Sequence, residues 1–344
     1  MAGSFPRSAF LWWESLRWGF KLPRGATTAL RSLPLYKIRR HCGYHSQMFS
    51  YRHAFHAGNH ADVLKHTALM AILQHLTQKD TALLVVDTHA GAGLYRLDGD
   101  YAQTSGEADE GLLRLTAKPP AAPAERAPAL QAYLDMVASF NAKGRHRVYP
   151  GSPFIIHQLL REQDRLKLFE LHPTDARTLL ANIGQLNAGR QIEVFDQDGF
   201  EGLKKFLPPP ARRALVLCDP SYEIKSDYPR VVAMVSEALQ RFATGTYMVW
   251  YPLIPRPESH DLPRKLKNLA IKAGKSWLNA SLNIKSNKLS KDAAGEVVRP
   301  GLSASGVFVI NPPHTLKALL KDALPQMVEL LGQDQHASFV LESG

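Results

Sequence analysis

The sequence has only two cysteines, Cys42 and Cys218, among its 344 residues. So few cysteines exclude a disulfide-stapled scaffold and indicate a reducing compartment. Long apolar runs are also missing, since no stretch approaches the roughly 20 residues that span a bilayer. The sequence therefore predicts a cytoplasmic protein without a membrane anchor. Its 45% apolar residues suffice for the core of one large domain or two modest ones.

Acidic side chains are nearly absent from residues 1–47, which hold eight lysines and arginines but only one acid, Glu14. This segment carries a net charge of +7, which leaves +4 of the total +11 for the rest of the chain. Nucleic-acid binding by the main body must therefore rest on local patches. The composition is typical of a basic arm or a transit peptide, or of a translated stretch before a start at Met48. We expect a short helix at 8–20 and exclude 1–47 from the predicted fold.

The rest of the chain alternates between short apolar runs and helical patterns, which predicts an α/β sheet with helices on both faces. Apolar residues at helical spacing predict a helix from Asp62, its expected cap, to Leu76. A helical block at about 95–148 interrupts the alternation and indicates a small inserted subdomain. The predicted strands are 82–86, 166–170, 192–195, 214–218, 246–250, 277–284 and 307–310, and the later helices are 153–162, 174–184, 200–206, 229–242 and 258–273. The last two strands are expected to form an antiparallel edge pair.

Residues that follow the predicted strands form the candidate site, because open parallel sheets bind ligands beyond the carboxyl ends of their strands. The first strand ends in the loop DTHAGAG at 87–93. Its glycines allow either a close approach to a nucleotide-like cofactor or a simple turn. Glu170 ends the next strand and either accepts from both ribose hydroxyls or faces solvent as a cap. Asp198 and Gly199 follow the third strand and either accommodate an adenine or form an Asx turn.

The most specific signal is Asp219-Pro220-Ser221-Tyr222, directly after the strand 214–218. The exocyclic amine of adenine is a poor nucleophile, so acceptors must orient it before it attacks a methyl sulfonium. Asp219 and the Pro220 carbonyl would each accept one N–H, and Tyr222 would stack on the base, a contact worth about 1–3 kcal/mol. The base must leave its helix or loop to reach them. The alternative is that Asp-Pro only ends the strand and that Tyr222 packs on the surface.

Four histidines near the start of the main body raise the question of a metal site: His53, His56, His60 and His66. No cysteine or HExxH motif accompanies them, so we expect no metal. Together with Lys65 they are expected to form a polar lid over a cofactor and an RNA backbone, with an exposed polar face as the alternative. Basic clusters at 145–147, 212–213 and 285–291 are candidate phosphate contacts, although each alone also suits a solvated surface.

In this order the motifs resemble the class I S-adenosylmethionine-dependent methyltransferases that act on amino groups. The segment 48–66, MFSYRHAFHAGNHADVLKH, is more specifically similar to the opening of the large-subunit ribosomal RNA adenine-N6 methyltransferase J family. The resemblance covers nearly all of 48–344, including 149–153, 170–173 and 304–313. It implies a Rossmann-like class I methyltransferase sheet with a small helical subdomain inserted after the first strand. The family opens at the residue that matches Met48.

The resemblance also implies a role for individual residues. Seven residues would bind S-adenosyl-L-methionine: His66, His89, Ser152, Glu170, Asp198, Gly199 and Asp219. Asp219 would also be the catalytic residue, and the RNA would be contacted by Tyr51, Lys65 and Tyr222. Ser221 departs from the family, which usually has a second proline there. The serine removes a fixed φ from the loop, and we expect this to affect the rate rather than the type of reaction.

The implied function is methylation of the N6 amine of one adenine in large-subunit (23S) rRNA, either naked or in an early assembly intermediate, by a monomer. A DNA adenine-N6 methyltransferase would use the same tetrapeptide and is an alternative. A hypothesis from a different class is a non-catalytic nucleic-acid-binding protein involved in DNA uptake or use, which would bind no cofactor. A nicotinamide dehydrogenase is disfavoured, because the glycine loop lacks the third glycine of GxGxxG.

Overall fold

A computed structural model describes residues 53–98, 106–117, 125–141, 146–286, 290–291, 297–298 and 301–344. The predicted helix at 8–20, the RNA contact by Tyr51 and the phosphate contacts by Arg145 and Lys288 lie outside the described residues. The predicted boundaries of the N-terminal extension, the methyltransferase domain and the inserted block stay predictions. No helix of the described ranges has the length and apolar character needed to cross a bilayer.

A sheet of eight strands organises the described part of the chain. Its strands are β1 (Leu84–Asp87), β4 (Arg165–Phe169), β5 (Ile192–Phe195), β6 (Ala214–Cys218), β7 (Thr246–Pro252), β8 (Trp277–Asn283), β11 (Ala304–Ile310) and β12 (Ser338–Ser343). They lie in the order β12-β8-β11-β7-β6-β1-β4-β5. The five from β7 to β5 are parallel, and β11, β8 and β12 add antiparallel pairs. Two short antiparallel ribbons pair β2 (Leu94–Arg96) with β3 (Val148–Pro150) and β9 (Ser290–Lys291) with β10 (Val297–Val298).

The α-helices connect and cover these strands. They are α1 (His60–Leu76), α2 (Glu107–Glu110), α3 (Leu112–Ala117), α4 (Pro128–Ser139), α5 (Ser152–Leu159), α6 (Pro173–Gly184), α7 (Gly199–Gly202), α8 (Asp227–Arg241), α9 (Pro257–Lys272) and α10 (Leu316–Leu331). Every residue of β1, β6, β7 and β11 is buried. Strands buried along their whole length must be covered on both faces, and the predicted α/β class with helices around a central sheet is confirmed.

Helix α1 begins two residues earlier than the sequence predicts, because Asn59 caps it and Asp62 does not. The Asn59 side chain accepts hydrogen bonds from the backbone N–H groups of Ala61 and Asp62. The carboxylate of Asp62 is therefore not used as a cap. All residues from His60 to Leu73 are buried, so α1 is enclosed on every side and its polar residues point into the protein.

The antiparallel side of the sheet differs from the prediction in one respect. The expected pair, β8 and β11, is present, but it is not the edge, because β12 pairs with β8 outside it. Neither β12 nor α10 is predicted from the sequence. Almost all residues of β12 are exposed and three consecutive apolar ones, Phe339–Leu341, break the alternation, so its pattern lacks the periodicity of a half-buried strand.

Candidate active site

The carboxyl ends of β6, β1, β4 and β5 lie side by side, which brings distant parts of the chain together. The backbone N–H of Gly91, in the loop after β1, donates to Oε2 of Glu170, after β4, at 2.7 Å. A Cβ at Gly199, after β5, would lie 2.0 Å from the carbonyl oxygen of Thr88. The strand order reverses around β1, and such a switch point is where open α/β sheets form their binding crevice.

The loop after β1 can adopt its path only with glycine at key positions. Gly91 has a φ of +61° and Gly93 a φ of +80°, in the left-handed region that side chains disfavour. A Cβ at Gly91 would also lie 2.2 Å from the hydroxyl of Tyr95, which accepts from the N–H of Ala92 at 3.1 Å. Glycine therefore lets this loop turn sharply and pack closely against Tyr95 and Glu170.

Glu170 is held against the glycine loop by two backbone donors. Besides the bond from Gly91, its Oε1 accepts from the N–H of His172 at 2.7 Å. Burial nevertheless raises the pKa of Glu170 to about 7, and these two hydrogen bonds only moderate that rise. The carboxyl group is fixed in position but is poorly solvated, as suits an acceptor for a ligand's hydroxyl groups.

Ser152 and Asp87 form a buried pair at the base of the loop. The hydroxyl of Ser152, the first residue of α5, donates to Oδ2 of Asp87 at 2.6 Å. Asp87 is 0% exposed, and burial raises its pKa to about 6 despite the hydrogen bond from Ser152. Asp219 adds to this rise through its negative charge, which places Asp219 near the same corner.

A second corner surrounds Asp198. Its Oδ1 accepts from the N–H of Phe200 at 3.0 Å, so it caps α7 in the manner of an Asx turn. Its Oδ2 is paired with Arg230, whose guanidinium lies 4.3 Å from the ring centroid of Phe200. His89 meets the same ring edge-on at 4.7 Å, and burial lowers the pKa of His89 to about 4. His89 is therefore a neutral imidazole, and it contacts the same phenyl ring as the positively charged guanidinium of Arg230.

Lys65 of α1 bridges two carboxylates. Its Nζ lies 2.6 Å from Oδ2 of Asp219 and 2.8 Å from Oδ1 of Asp62. Lys65 and Asp62 are only 4% and 1% exposed. Burial alone would lower the pKa of Lys65, but the two carboxylates outweigh it and raise that pKa above its usual value. The ammonium is thus permanently charged, and it fixes one oxygen of Asp219.

Asp62 in turn is surrounded by donors. The N–H of Gly58 donates to its Oδ2 at 2.9 Å, and Nε2 of His53 lies 3.0 Å from the same oxygen. Burial would raise the pKa of Asp62, yet His53, Lys65 and His66 together hold it well below its usual range. Asp62 is therefore an anion buried next to Lys65, and it supplies the second charge that keeps the lysine in place.

The predicted polar lid is wrong for three of its members. Lys65, His60 and His66 are buried, and burial lowers the pKa of His60 to about 4 and that of His66 to about 3. His66 bonds Tyr149 through Nδ1 at 2.7 Å. These side chains point inward because α1 is enclosed, so Lys65 is unavailable to RNA phosphates. Of the four histidines in the set, His53 and His56 line an open cavity, which Lys65 borders from its buried position.

That cavity has a volume of about 240 Å³ and lies beside Asp219. Its walls combine charged, polar and aromatic side chains, among them Asp62, Lys65, Asp219, Ser221, Tyr222, Trp250 and Arg256. Oδ1 of Asp219 accepts no hydrogen bond from any residue of the described ranges, whereas Oδ2 is bound to Lys65. The site thus joins an oriented carboxylate to a cleft with aromatic walls.

Tyr222 is more buried than the sequence suggests. The residue is only 2% exposed, and its hydroxyl donates to the carbonyl of Trp250 at 2.7 Å. Its ring lies 4.7 Å from that of Tyr228. Tyr222 also lines the cavity beside Asp219, so its stacking on a base stays a prediction.

The basic cluster at 212–213 is also reassigned. Arg213 precedes β6 and so lies at the opposite end of that strand from Asp219. Its guanidinium donates to the carbonyls of Leu76 and Thr81, and it thereby satisfies the C-terminal end of α1. Lys285, from another predicted cluster, lies 3.7 Å from Glu110. Neither contact resembles a free phosphate site.

Sequence reasoning missed two residues of the site. Asp62 was assigned only to a cap, and Arg230, which pairs with Asp198, was not identified. The spacing of Asp62 and Lys65 by three residues on one helix face is a usable signal for an ion pair. No comparable signal exists for Arg230, since it meets Asp198 only through the packing of α8. In the described ranges, no group of three or more His, Cys, Asp or Glu side chains is placed to hold a metal ion.

Comparison with known proteins agrees with this geometry. Residues 80–341 match the model of a family described as "Ribosomal RNA large subunit methyltransferase D, RlmJ". The chain is 44% identical to Ribosomal RNA large subunit methyltransferase J of Escherichia coli, over 81% of this chain and 92% of the relative. It is 39% identical to the protein of the same name from Haemophilus influenzae, over 86% and 98%. A solved structure of a Legionella pneumophila protein is 31% identical, with a TM-score of 0.71, and covers 84% of this chain and 98% of that one.

Proposed function

The chain belongs to the ribosomal RNA large subunit methyltransferase J family, and from this premise we propose that it methylates the N6 amine of an adenine in 23S rRNA. The position and contacts of Asp219 are the observation on which the proposal rests. This carboxylate follows β6, is held through one oxygen by the buried Lys65, and lines a cavity with its other side. A base that enters the cavity would therefore meet an oriented acceptor.

The residues at the strand ends fit S-adenosylmethionine, the methyl donor of this family. Glu170 supplies acceptors for the ribose hydroxyls, and Asp198 supplies one for the adenine amine. Gly91 and Gly199 leave bare backbone where a Cβ would collide with a neighbour. His66, His89 and Ser152 line the same region in our proposal. When bound, the cofactor supplies a methyl group made electrophilic by the sulfonium.

Asp219 would act on the amine of the target base. Its Oδ1 accepts one N–H of the amine and so turns the nitrogen toward the methyl group. As the nitrogen bonds to the methyl carbon, the carbon–sulfur bond would break and leave a neutral thioether. The nitrogen gains positive charge, which the fixed negative charge of Asp219 stabilises, and it then releases one proton to water. Lys65 keeps the carboxylate oriented, so little reorganisation is needed during the reaction. Most of the rate enhancement would come from holding the reacting groups in line.

The partners follow from the same proposal. The relatives are named for ribosomal RNA, so a DNA methyltransferase and a non-catalytic DNA-uptake protein are not favoured. We propose that the enzyme acts as a monomer, without a metal ion, on rRNA in the cytoplasm. Tyr51 remains a proposed RNA contact. Lys65 is buried between two carboxylates, so we no longer propose it as a phosphate contact. Tyr222 remains a proposed contact of the base, from the wall of the cavity.

Methyl transfer tests the proposal directly. Purified protein is incubated with methyl-labelled S-adenosylmethionine and rRNA from a strain that lacks the enzyme, and the modified nucleotide is mapped. We expect label on N6 of one large-subunit adenine, none on duplex DNA, and a rate of labelling roughly two to three orders of magnitude lower with Asp219→Ala. A rise in melting temperature with S-adenosylhomocysteine would show cofactor binding independently. Label on DNA but not rRNA would favour the DNA hypothesis instead.

A further inference from the structure

One arginine in the wall of the cavity beside Asp219 is used by no step of the proposed reaction, although the acidic side chains of Asp62, Asp219 and Glu223 also line this cavity. Arg256 lines this cavity and is half-buried, so its guanidinium reaches both the cleft and the surface. It lies between β7 and α9, in the sequence Pro255-Arg256-Pro257. Its backbone is extended, with φ −131° and ψ 132°. Proline on both sides restricts this segment and holds the arginine in place.

Arg256 is held in place by two backbone carbonyl groups. Its Nη1 donates to the carbonyls of Tyr222 at 3.2 Å and Glu223 at 3.4 Å. Within the described ranges it forms no ion pair, and its Nε and Nη2 have no hydrogen-bond partner. Glu258, two residues later, pairs with Lys225 instead, at 3.8 Å. A positioned guanidinium with spare donors is what bidentate recognition of a phosphate requires.

We propose that Arg256 binds the backbone phosphate next to the target nucleotide and so anchors the displaced base in the cavity. The inference rests on the proposed function, since only a polynucleotide substrate carries a phosphate beside a base in this cleft. A nucleotide turned out of its stack keeps its phosphates at the entrance while the base is inside. Arg256 is therefore a substrate-positioning residue, and it takes no part in methyl transfer.

Salt dependence separates a phosphate contact from a structural role. We would measure kcat and the KM for rRNA at salt concentrations between about 50 and 200 mM. Each phosphate that the protein neutralises adds about 0.7–0.9 to the slope of log KM against log salt concentration. Arg256→Gln should raise KM on the order of tenfold at low salt. It should also reduce the slope of log KM against log salt concentration by about 0.7–0.9, the contribution of one phosphate. Arg256→Lys, which keeps the charge, should retain the slope. The matched control is Arg264→Gln, on α9 but paired with Asp261 and outside the cavity lining, which should match the wild type.

The outcomes distinguish this inference from the function on which it rests. Methyl transfer to rRNA by the wild type establishes the function whatever the variants do, and its absence overturns that function. If the wild type is active but Arg256→Gln keeps its KM and salt slope, the phosphate contact is refuted. A loss of kcat with KM and slope unchanged also refutes it, since Arg256 would then act through the loop at Tyr222. If Arg256→Gln fails to fold, the salt dependence of KM is compared between Arg256→Lys and Arg256→Met. A wild-type slope in Arg256→Lys and a smaller slope in Arg256→Met support the contact. Equal slopes in the two variants refute it.

Discussion

The ammonium nitrogen of Lys65 lies 2.6 Å from Oδ2 of Asp219, although 154 positions separate the two residues in the chain. Lys65 also holds Asp62 at 2.8 Å. A buried cation between two carboxylates leaves a net negative charge, and that charge faces the cavity through Asp219. Helix α1 precedes the sheet in the chain, and through Lys65 it sets the charge environment of Asp219 at the end of β6.

Replacing Asp219 with alanine should lower kcat by roughly two to three orders of magnitude, which is the usual effect of removing one preorganised polar group. Asp219→Asn should be nearly as slow, because the amide lacks the charge that stabilises the developing cation on the amine. Single-turnover methyl transfer to rRNA measures the effect, with thermal unfolding as the control for folding. Turnover near the wild-type value would remove Asp219 from the mechanism.

Replacing Lys65 with methionine should destabilise the protein by about 3–5 kcal/mol, because it removes the cation that neutralises the buried Asp62 and the half-buried Asp219. Urea unfolding measures the change. Lys204→Met is the matched control, since Lys204 pairs with Glu201 on the surface and its loss should leave stability unchanged. A Lys65→Met protein as stable as the wild type would show that Asp62 and Asp219 do not depend on the ammonium.

Glu170 should make stability pH-dependent in the absence of cofactor. Burial raises its pKa from 4.5 to about 7 in the folded protein, so the folded carboxyl keeps its proton where the unfolded one has lost it. This contribution is fully present below pH 4.5 and is lost as pH rises to about 7. Across this window the unfolding free energy of the wild type should fall by about 1–3 kcal/mol relative to Glu170→Gln.

Urea titrations of both proteins at several pH values test this. Asp87 shifts in the same direction, but it is present in both proteins and cancels in the difference. Parallel stability curves for the wild type and Glu170→Gln would contradict the raised pKa.

Adding a methyl group at Gly199 should weaken cofactor binding at least tenfold. Its Cβ would lie 2.0 Å from the carbonyl oxygen of Thr88, and backbone cannot move aside as a flexible side chain does. The β1 and β5 ends must separate to admit it. Calorimetry with S-adenosylhomocysteine measures the loss. Gly184→Ala, where a Cβ meets nothing within 4 Å, is the control and should bind normally. Equal affinity for both variants would show that this close approach is not needed.

Much of the sheet is predictable from sequence because its strands are short, apolar and bounded by turns. The strands 192–195 and 214–218 are found at their predicted limits, and the residues after them follow from the rule that parallel strands place their carboxyl ends together. β12 is not predictable, since it is an exposed edge strand whose pairing with β8 is a long-range event.

The orientation of side chains on α1 could not be predicted either. A helix that is apolar on one face reveals which residues point to solvent, but α1 is buried from His60 to Leu73. The sequence therefore predicts that the polar residues of α1 face the surface, whereas in the structure they form ion pairs inside the protein. The burial of Tyr222 could not be predicted for a similar reason, because it depends on Tyr228 and Trp250, which belong to later elements.

The position of α1 has a practical consequence for how this enzyme would fail. This helix carries the counter-ion of the carboxylate that we propose as catalytic, yet it lies outside the sheet. Its residues from His60 to Leu73 are all buried, so heat or denaturant cannot release α1 while the rest of the core stays packed. Activity should therefore be lost together with the circular dichroism signal, in one cooperative transition.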